Sequence, residues 1–288
     1  MNFNRKLINK DLKNLKDNGL VILPNFISQT NLTKLNQEIK PWLKKISFNN
    51  NFSSSIIGNN QWIFHLGLCS QSAINIALDN NLIIFLEKLF NKKISLAEFI
   101  YQKKVIAEKN DIKWHSDKGK GMMIFIFLTQ ISAKTGATVF IPKTHKIKFN
   151  DNLTKRKGIA QYLDKLLIEK KINRSIQASG GPGTIIIFNP SIWHSLPAFS
   201  EAGREVIWLK YIPETTNEEA VDHLYRQTLL SNLTKKQLQV YCVNQKMNKR
   251  DGLTQLGSQA FSGDKQLSDF KMFIYYIRYL LLSLFHKK

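Results

Sequence analysis

Apolar positions at the start of the chain first recur at helical spacing and then gather into a short run. Residues 7–18 read as a short charged helix closed by Gly19, and Leu20-Val21-Ile22-Leu23 stops at Pro24 as a strand does. Ser28 is placed to cap a second helix reaching Leu43, with Ile27, Leu32, Leu35 and Ile39 along one side. Residues 49–60, rich in Asn and Ser, predict a mobile loop, and the apolar density from Ala73 to Phe90 predicts one further helix.

From Ile94 the texture changes to short apolar segments: Ile94–Ile106, Gly121–Ile131, Thr138–Ile141, Thr184–Phe188 and Arg204–Ile212. Clusters of Gly, Pro, Asn and Lys separate them, a pattern that predicts a β-sandwich or barrel. Lys143–Gly183 interrupts this pattern with many lysines, an amphipathic helix around Ile159–Leu167 and the turn Gly180-Gly181-Pro182-Gly183. An insertion of that length in a compact β core predicts a lid. After Pro213 the pattern turns helical through Val240, with Glu218, Glu219 and Asp222 in the first turns. A polar stretch from Asn244 to Ser268 then leads to the tail Phe270–Lys288. Within it Met272–Phe285 is fourteen residues long, too short to span a bilayer and too apolar for a free helix. Packing on the core or in a dimer is the first expectation for 270–288, and peripheral membrane contact the second.

Composition narrows the partners. The formal charge of +21 would suit nucleic acid, yet the basic residues comprise thirty-five lysines and only seven arginines. Groove readers rely on arginine for bidentate contacts, so no nucleic-acid partner is expected. Two cysteines, Cys69 and Cys242, are too few for a disulfide framework. The first eleven residues hold no apolar core of signal-peptide length. These features predict a cytoplasmic protein, or one peripheral to the inner membrane surface.

The candidate chemistry lies in Trp114-His115-Ser116-Asp117. In an extended chain His115 and Asp117 project to one side, so both can grip one metal ion. His194, in Ile192-Trp193-His194-Ser195 after the strand Thr184–Phe188, is the expected third ligand. Two histidines and a carboxylate form a facial set that suits Fe(II) and leaves positions open. Arg204 follows His194 by ten residues, and alternation places it with Val206 and Trp208 on one strand face. Buried there, it would demand a carboxylate, which 2-oxoglutarate can supply. His65, His145, His223 and His286 have no partner at ligand spacing and read as structural.

Residues 20–213 resemble the phytanoyl-CoA dioxygenase family of Fe(II)/2-oxoglutarate oxygenases. The resemblance rests on Gly19–Ile27, Trp114–Asp117, Thr135–Lys146, Gly181–Thr184, His194 and Arg204. Lys143 and Thr144 stand where Gly and Ser are usual, and Leu196 where relatives often place a Ser near the cosubstrate. The resemblance implies a mainly β protein with flanking helices around a double-stranded β-helix, a jelly-roll or cupin-like core. Residues 1–213 would hold the helical shoulder and the core, with a lid at about 143–183, and 214–288 a helical extension. His115, Asp117 and His194 would be the catalytic metal ligands, and Fe(II), 2-oxoglutarate and dioxygen the cofactors. Arg204, Gln102 and Trp208 would contact the cosubstrate, with Lys104 a weaker candidate. Related halogenases replace the acidic ligand with a small residue, so Asp117 favours hydroxylation. A non-catalytic jelly-roll binding module and a zinc hydrolase are the alternatives. The lid cations Lys143, Lys146, Lys148, Lys155, Arg156 and Lys157 would steer an acidic small-molecule substrate, if they are more than a solvated face. Oligomeric state is left open.

Overall fold

The computed structural model describes residues 6–46, 54–57, 60–63, 66–109, 112–117, 121–146, 171–214, 225–226, 233–241 and 266–267. Helix α1 (Asn9–Asn18) ends at Gly19, whose φ of 82° lets its N–H close back on the Leu15 carbonyl. Strand β1 (Leu20–Leu23) follows, then α2 (Gln29–Ile46), where the Ser28 hydroxyl accepts from the Asn31 N–H at 3.4 Å.

Two expectations for the next region are corrected. Part of the Asn- and Ser-rich stretch is a hairpin, β2 (Ser54–Ile57) and β3 (Asn60–Ile63). Its polar residues have weak strand propensity, but β3 pairs with a long neighbouring strand, and tertiary pairing overrides propensity. The single helix expected over Ala73–Phe90 is two, α3 (Gln71–Ala77) and α4 (Asn80–Phe90). The break falls at Asp79, whose carboxylate accepts from the Asn81 and Leu82 N–H groups and so caps a new helix.

The β core comprises β4 (Ile94–Lys104), β5 (Ile112–His115), β6 (Met122–Phe127), β7 (Val139–Ile141), β8 (Ile176–Gln177), β9 (Ile185–Phe188), β10 (Trp193–Leu196) and β11 (Glu205–Pro213). A seven-stranded sheet runs β1-β9-β6-β11-β4-β3-β2, and a four-stranded sheet runs β5-β10-β7-β8. All pairings within the two sheets are antiparallel. This is the expected jelly-roll core.

The larger sheet is apolar on both faces, which explains its continuous hydrophobic runs. On one face Ile124, Ile126, Ile187, Ile207 and Leu209 join a core with Leu15, Leu35, Ile74 and Leu86 of the helices. On the other, Phe125, Phe127, Ile186, Phe188 and Val206 join Phe140 of the smaller sheet. Alternation along β1, β6, β9 and β11 thus separates a helical layer from an inner space between sheets, while β4 changes parity at a register shift between Leu96 and Phe99. Arg204, Val206 and Trp208 belong to the inner face, as their spacing predicts.

Beyond Pro213 the structure departs from a continuous helix. Residues Tyr225–Arg226 (β12) pair in parallel with Gln266–Leu267 (β13), and α5 spans Lys235–Val240. Val240 and Tyr241 join the helical-side core. The lid helix, Lys148 to Lys157 and the tail Met272–Phe285 lie outside the described residues. Among the described residues no helix is long and apolar enough to cross a membrane.

Gly183 has φ 83°, and a Cβ there would stand 2.5 Å from the Ile27 carbonyl oxygen. Left-handed strain and a backbone collision together predict that Gly183→Ala costs at least about 2 kcal/mol. Chemical denaturation checks this; an unchanged midpoint would contradict it.

Candidate metal centre and anion pocket

The antiparallel pairing of β5 with β10 sets His194 directly opposite His115. Their ring centroids are 4.3 Å apart. Asp117 follows just beyond β5, where its N–H donates to the Pro190 carbonyl at 2.9 Å and fastens the turn that leads into β10. Its Oδ2 lies 3.4 Å from His194 Nε2, and its Oδ1 3.8 Å from His115 Nε2. The three donor atoms all fall within 4.8 Å of one another. With ligand bonds of ~2.0–2.2 Å, one ion could meet all three after a small inward adjustment.

The orientation of the ring also fits a cation. His194 Nδ1 is 2.9 Å from the Ile192 carbonyl, which can only accept, so this nitrogen donates and Nε2 is the atom turned toward Asp117. Phe140 and Phe188 pack on the same ring at 5.7 and 5.8 Å, fixing its plane. For Asp117, burial works to raise the carboxyl pKa, but the hydrogen bond and charge of His194, with His115 and Lys210, bring it below the ordinary range. The carboxylate is therefore ionised at neutral pH. Its favourable contribution is present above the usual carboxylate pKa and is lost as pH falls through the depressed value.

From the exposed Asp117 a cavity of about 290 Å³ extends to the buried Arg204. Arg204 is only 3% exposed. One terminal nitrogen donates to Thr138 Oγ1 at 3.3 Å, and the guanidinium carbon lies 6.0 Å from the Phe125 ring centre. Its Nε has no hydrogen-bond partner, and no carboxylate pairs with it among the described residues. Burial alone pushes its pKa down to about 10. Folding therefore bears the cost of this cation at neutral pH, and that cost is relieved either above the depressed pKa or by an anion from outside. A two-imidazole, one-carboxylate donor set and a buried cation awaiting an acid together fit a metal-chelating dicarboxylate.

The structure brings all the predicted site residues to this cavity: His115, Asp117, His194, Arg204, Gln102, Trp208 and Lys104. Trp208 stacks near Phe125 at 4.9 Å. Gln102 Nε2 donates to Asn60 Oδ1 at 3.0 Å, and Lys104 Nζ lies 3.4 Å from Glu108 Oε2. Thr138 and Asn60 were not anticipated. Thr138 sits in the Thr135–Lys146 motif, but only the fold aims it at Arg204. Asn60 lay hidden in the stretch read as a loop.

The departures from the motif also find places. Lys143 adopts φ 70°, a conformation that glycine takes without strain. Thr144 keeps the hydroxyl of the usual Ser: it donates to the Ile141 carbonyl at 2.7 Å and accepts from the Trp193 N–H at 2.9 Å. This ties the root of the insertion to the strand that carries His194. Leu196 is buried and lines the cavity. His145 bonds the Lys16 carbonyl, away from the site, while His65, His223 and His286 lie outside the described residues.

The fold and the geometry of this site resemble those of non-haem iron, 2-oxoglutarate-dependent oxygenases. Residues 89–205, which hold all three candidate ligands and Arg204, match the family model "Phytanoyl-CoA dioxygenase (PhyH)". No curated protein matches the sequence. Among solved structures, EctD from S. alaskensis with 2-oxoglutarate and 5-hydroxyectoine has a TM-score of 0.58 at 15% identity, over 78% of this chain and 80% of that one. HygX from Streptomyces hygroscopicus with nickel, 2-oxoglutarate and hygromycin B has a TM-score of 0.53 at 13% identity, over 76% and 91%. The epimerase SnoN, in complex with Fe3+, alpha ketoglutarate and nogalamycin RO, has 0.56 at 15% identity, over 90% and 95%. At these identities the likeness is one of fold.

Mn(II), a redox-quiet stand-in, is expected to raise the melting temperature of the wild-type protein. Saturation at a hundredfold excess over Kd corresponds to about 2.7 kcal/mol. Asp117→Ala should lose most of that gain, and an equal gain in the variant would argue against this site.

Proposed function

We propose that this chain hydroxylates an unactivated carbon of a small molecule, consuming 2-oxoglutarate and dioxygen and releasing succinate and carbon dioxide. The observation that carries the reading is Arg204, a buried guanidinium with no carboxylate partner among the described residues, in the same cavity as His115, Asp117 and His194. When bound, Fe(II) and 2-oxoglutarate supply an oxidant able to take hydrogen from such a carbon. The chain's own residues do the rest. His115, Asp117 and His194 would hold the iron, and three protein donors leave coordination positions for other ligands. Arg204, steadied by Thr138, receives the far carboxylate. Phe125 and Trp208 wall this end of the cavity against water.

Retention of Asp117 as a carboxylate supports oxygenation over halogenation, since a chloride needs the position that it fills. Neighbours of this fold also include a carbocyclase, SnoK, and the epimerase SnoN, so the hydroxylation outcome rests on the site reading and not on the fold. The small molecules present in the EctD and HygX structures support a small-molecule substrate here. The depth of Arg204 disfavours a zinc hydrolase, which has no use for a buried carboxylate receptor.

Anaerobic addition of Fe(II) and 2-oxoglutarate is expected to give the weak visible band of the chelate, and oxygen to give succinate. Absence of both with the metal-loaded protein would favour a non-catalytic binding module. Arg204→Met should weaken 2-oxoglutarate binding by about a hundredfold or more, as loss of a buried charge partner does. Without cosubstrate the same variant should be no less stable than wild type, because it removes an unmatched buried charge. A large loss of apo stability with unchanged cosubstrate affinity would contradict the assignment.

A further inference from the structure

Gln102 and Asn60 carry unspent hydrogen-bonding capacity in the cavity. Gln102 is 4% exposed, and its Oε1 is buried without a partner among the described residues. Its Nε2 is committed to Asn60 Oδ1 at 3.0 Å, which leaves the Asn60 amide nitrogen as the free half of that side chain. If both amides are turned over, the free groups exchange identity. In either orientation one bond joins the pair, and one acceptor and one donor remain unspent on side chains that line the cavity. The Gln102 group is buried, so leaving it unmatched is costly, while the half-exposed Asn60 group can also meet water; the arrangement fits an occupant that satisfies the first and can bond the second.

Strand order separates this pair from the cosubstrate groups. Arg204 and Trp208 lie on or beside β11, Gln102 on its neighbour β4, and Asn60 on β3, with only β2 beyond at the edge of the sheet. The amides thus stand on the open-edge side of the cavity. Trp62, next to them on β3, sets its ring edge to Trp208 at 5.7 Å and supplies an aromatic wall.

Charge decides what kind of group belongs there. Lys104 Nζ is matched by Glu108, and Arg204 would be matched by the far carboxylate of 2-oxoglutarate. The near carboxylate and Asp117 would balance a divalent ion. No cation lining the cavity is then left over for a second acid. The lid cations that could have steered an acidic substrate are, apart from Lys143 and Lys146, outside the described residues.

We infer that the Asn60–Gln102 amide pair reads the substrate, in place of the cosubstrate contact that the resemblance implied for Gln102, and takes a neutral alcohol or carboxamide whose carbon skeleton packs on Trp62 and Trp208. This rests on the assignment of Arg204 to 2-oxoglutarate. The test uses the full chain loaded with Zn(II), a diamagnetic stand-in, and 2-oxoglutarate. Cyclohexanol, cyclohexanecarboxamide and cyclohexanecarboxylate, which share one skeleton, are titrated by ligand-observed NMR. The alcohol and the carboxamide should bind about tenfold tighter than the carboxylate, a difference of one well-placed hydrogen bond. Gln102→Leu and, at the half-exposed position, Asn60→Ala should each remove the preference and leave 2-oxoglutarate affinity within about threefold, a tolerance well below the loss of a buried charge partner. Equal or tighter binding of the carboxylate, a preference that survives both variants, or no binding by any of the three would overturn the inference. So would a Gln102→Leu loss of 2-oxoglutarate affinity as large as that of Arg204→Met, which would make the amide a cosubstrate contact. A wild-type protein that fails to bind 2-oxoglutarate would instead defeat the reading beneath it.

Discussion

A guanidinium buried between two β-sheets, with no carboxylate to meet it among the described residues, is electrostatically unbalanced. On the inner face of the larger sheet, the partners of Arg204 among the described residues are the hydroxyl of Thr138 and the face of Phe125. Desolvation of such a cation is expensive, and its pKa is depressed accordingly. The depressed pKa, the cavity and the direction in which the cavity runs all become intelligible once an anion is expected at that point. The anion must also reach a metal, because the cavity's other end is the His-Asp-His cluster.

That cluster depends on register more than on local sequence. His115 and His194 are far apart in the chain and come face to face because β5 and β10 pair at those residues. A shift of one residue would turn either imidazole to the other side of its strand. Several contacts hold the register: Asp117 to Pro190, the Ile192 carbonyl to the His194 ring, and Thr144 to the backbone of Trp193. The last of these also joins the metal strand to the root of the insertion. Metal site and insertion are thus mechanically adjacent.

Much of this was legible in the sequence. Strand alternation was enough to pair His115 with Asp117 and to place Arg204 beside Val206 and Trp208, while the resemblance of the surrounding motifs joined His194 and Arg204 to them. The core strands were legible too, since β6 and β9 are buried on both faces and read as unbroken apolar runs, and β4 and β11 as mainly apolar ones. What escaped notice was structure made by backbone pairing or by a cap. The β2–β3 hairpin has Ser and Asn where strands usually have branched side chains, and only its pairing with β4 makes it a strand. Asp79 divides two helices by capping the second, a signal that apolar density conceals. Thr138 and Asn60 were invisible as site residues because each acts through a neighbour distant in sequence.

The central claim is that Arg204 is the receptor for the far carboxylate of an acidic, metal-chelating cosubstrate. The most direct measurement compares 2-oxoglutarate with 2-oxopentanoate, which has the same chain length and chelating end but no far carboxylate, binding anaerobically to the Fe(II)-loaded protein. The account predicts that 2-oxoglutarate binds about a hundredfold tighter or more, the scale of a buried charge pair. Equal affinities for the two would contradict it.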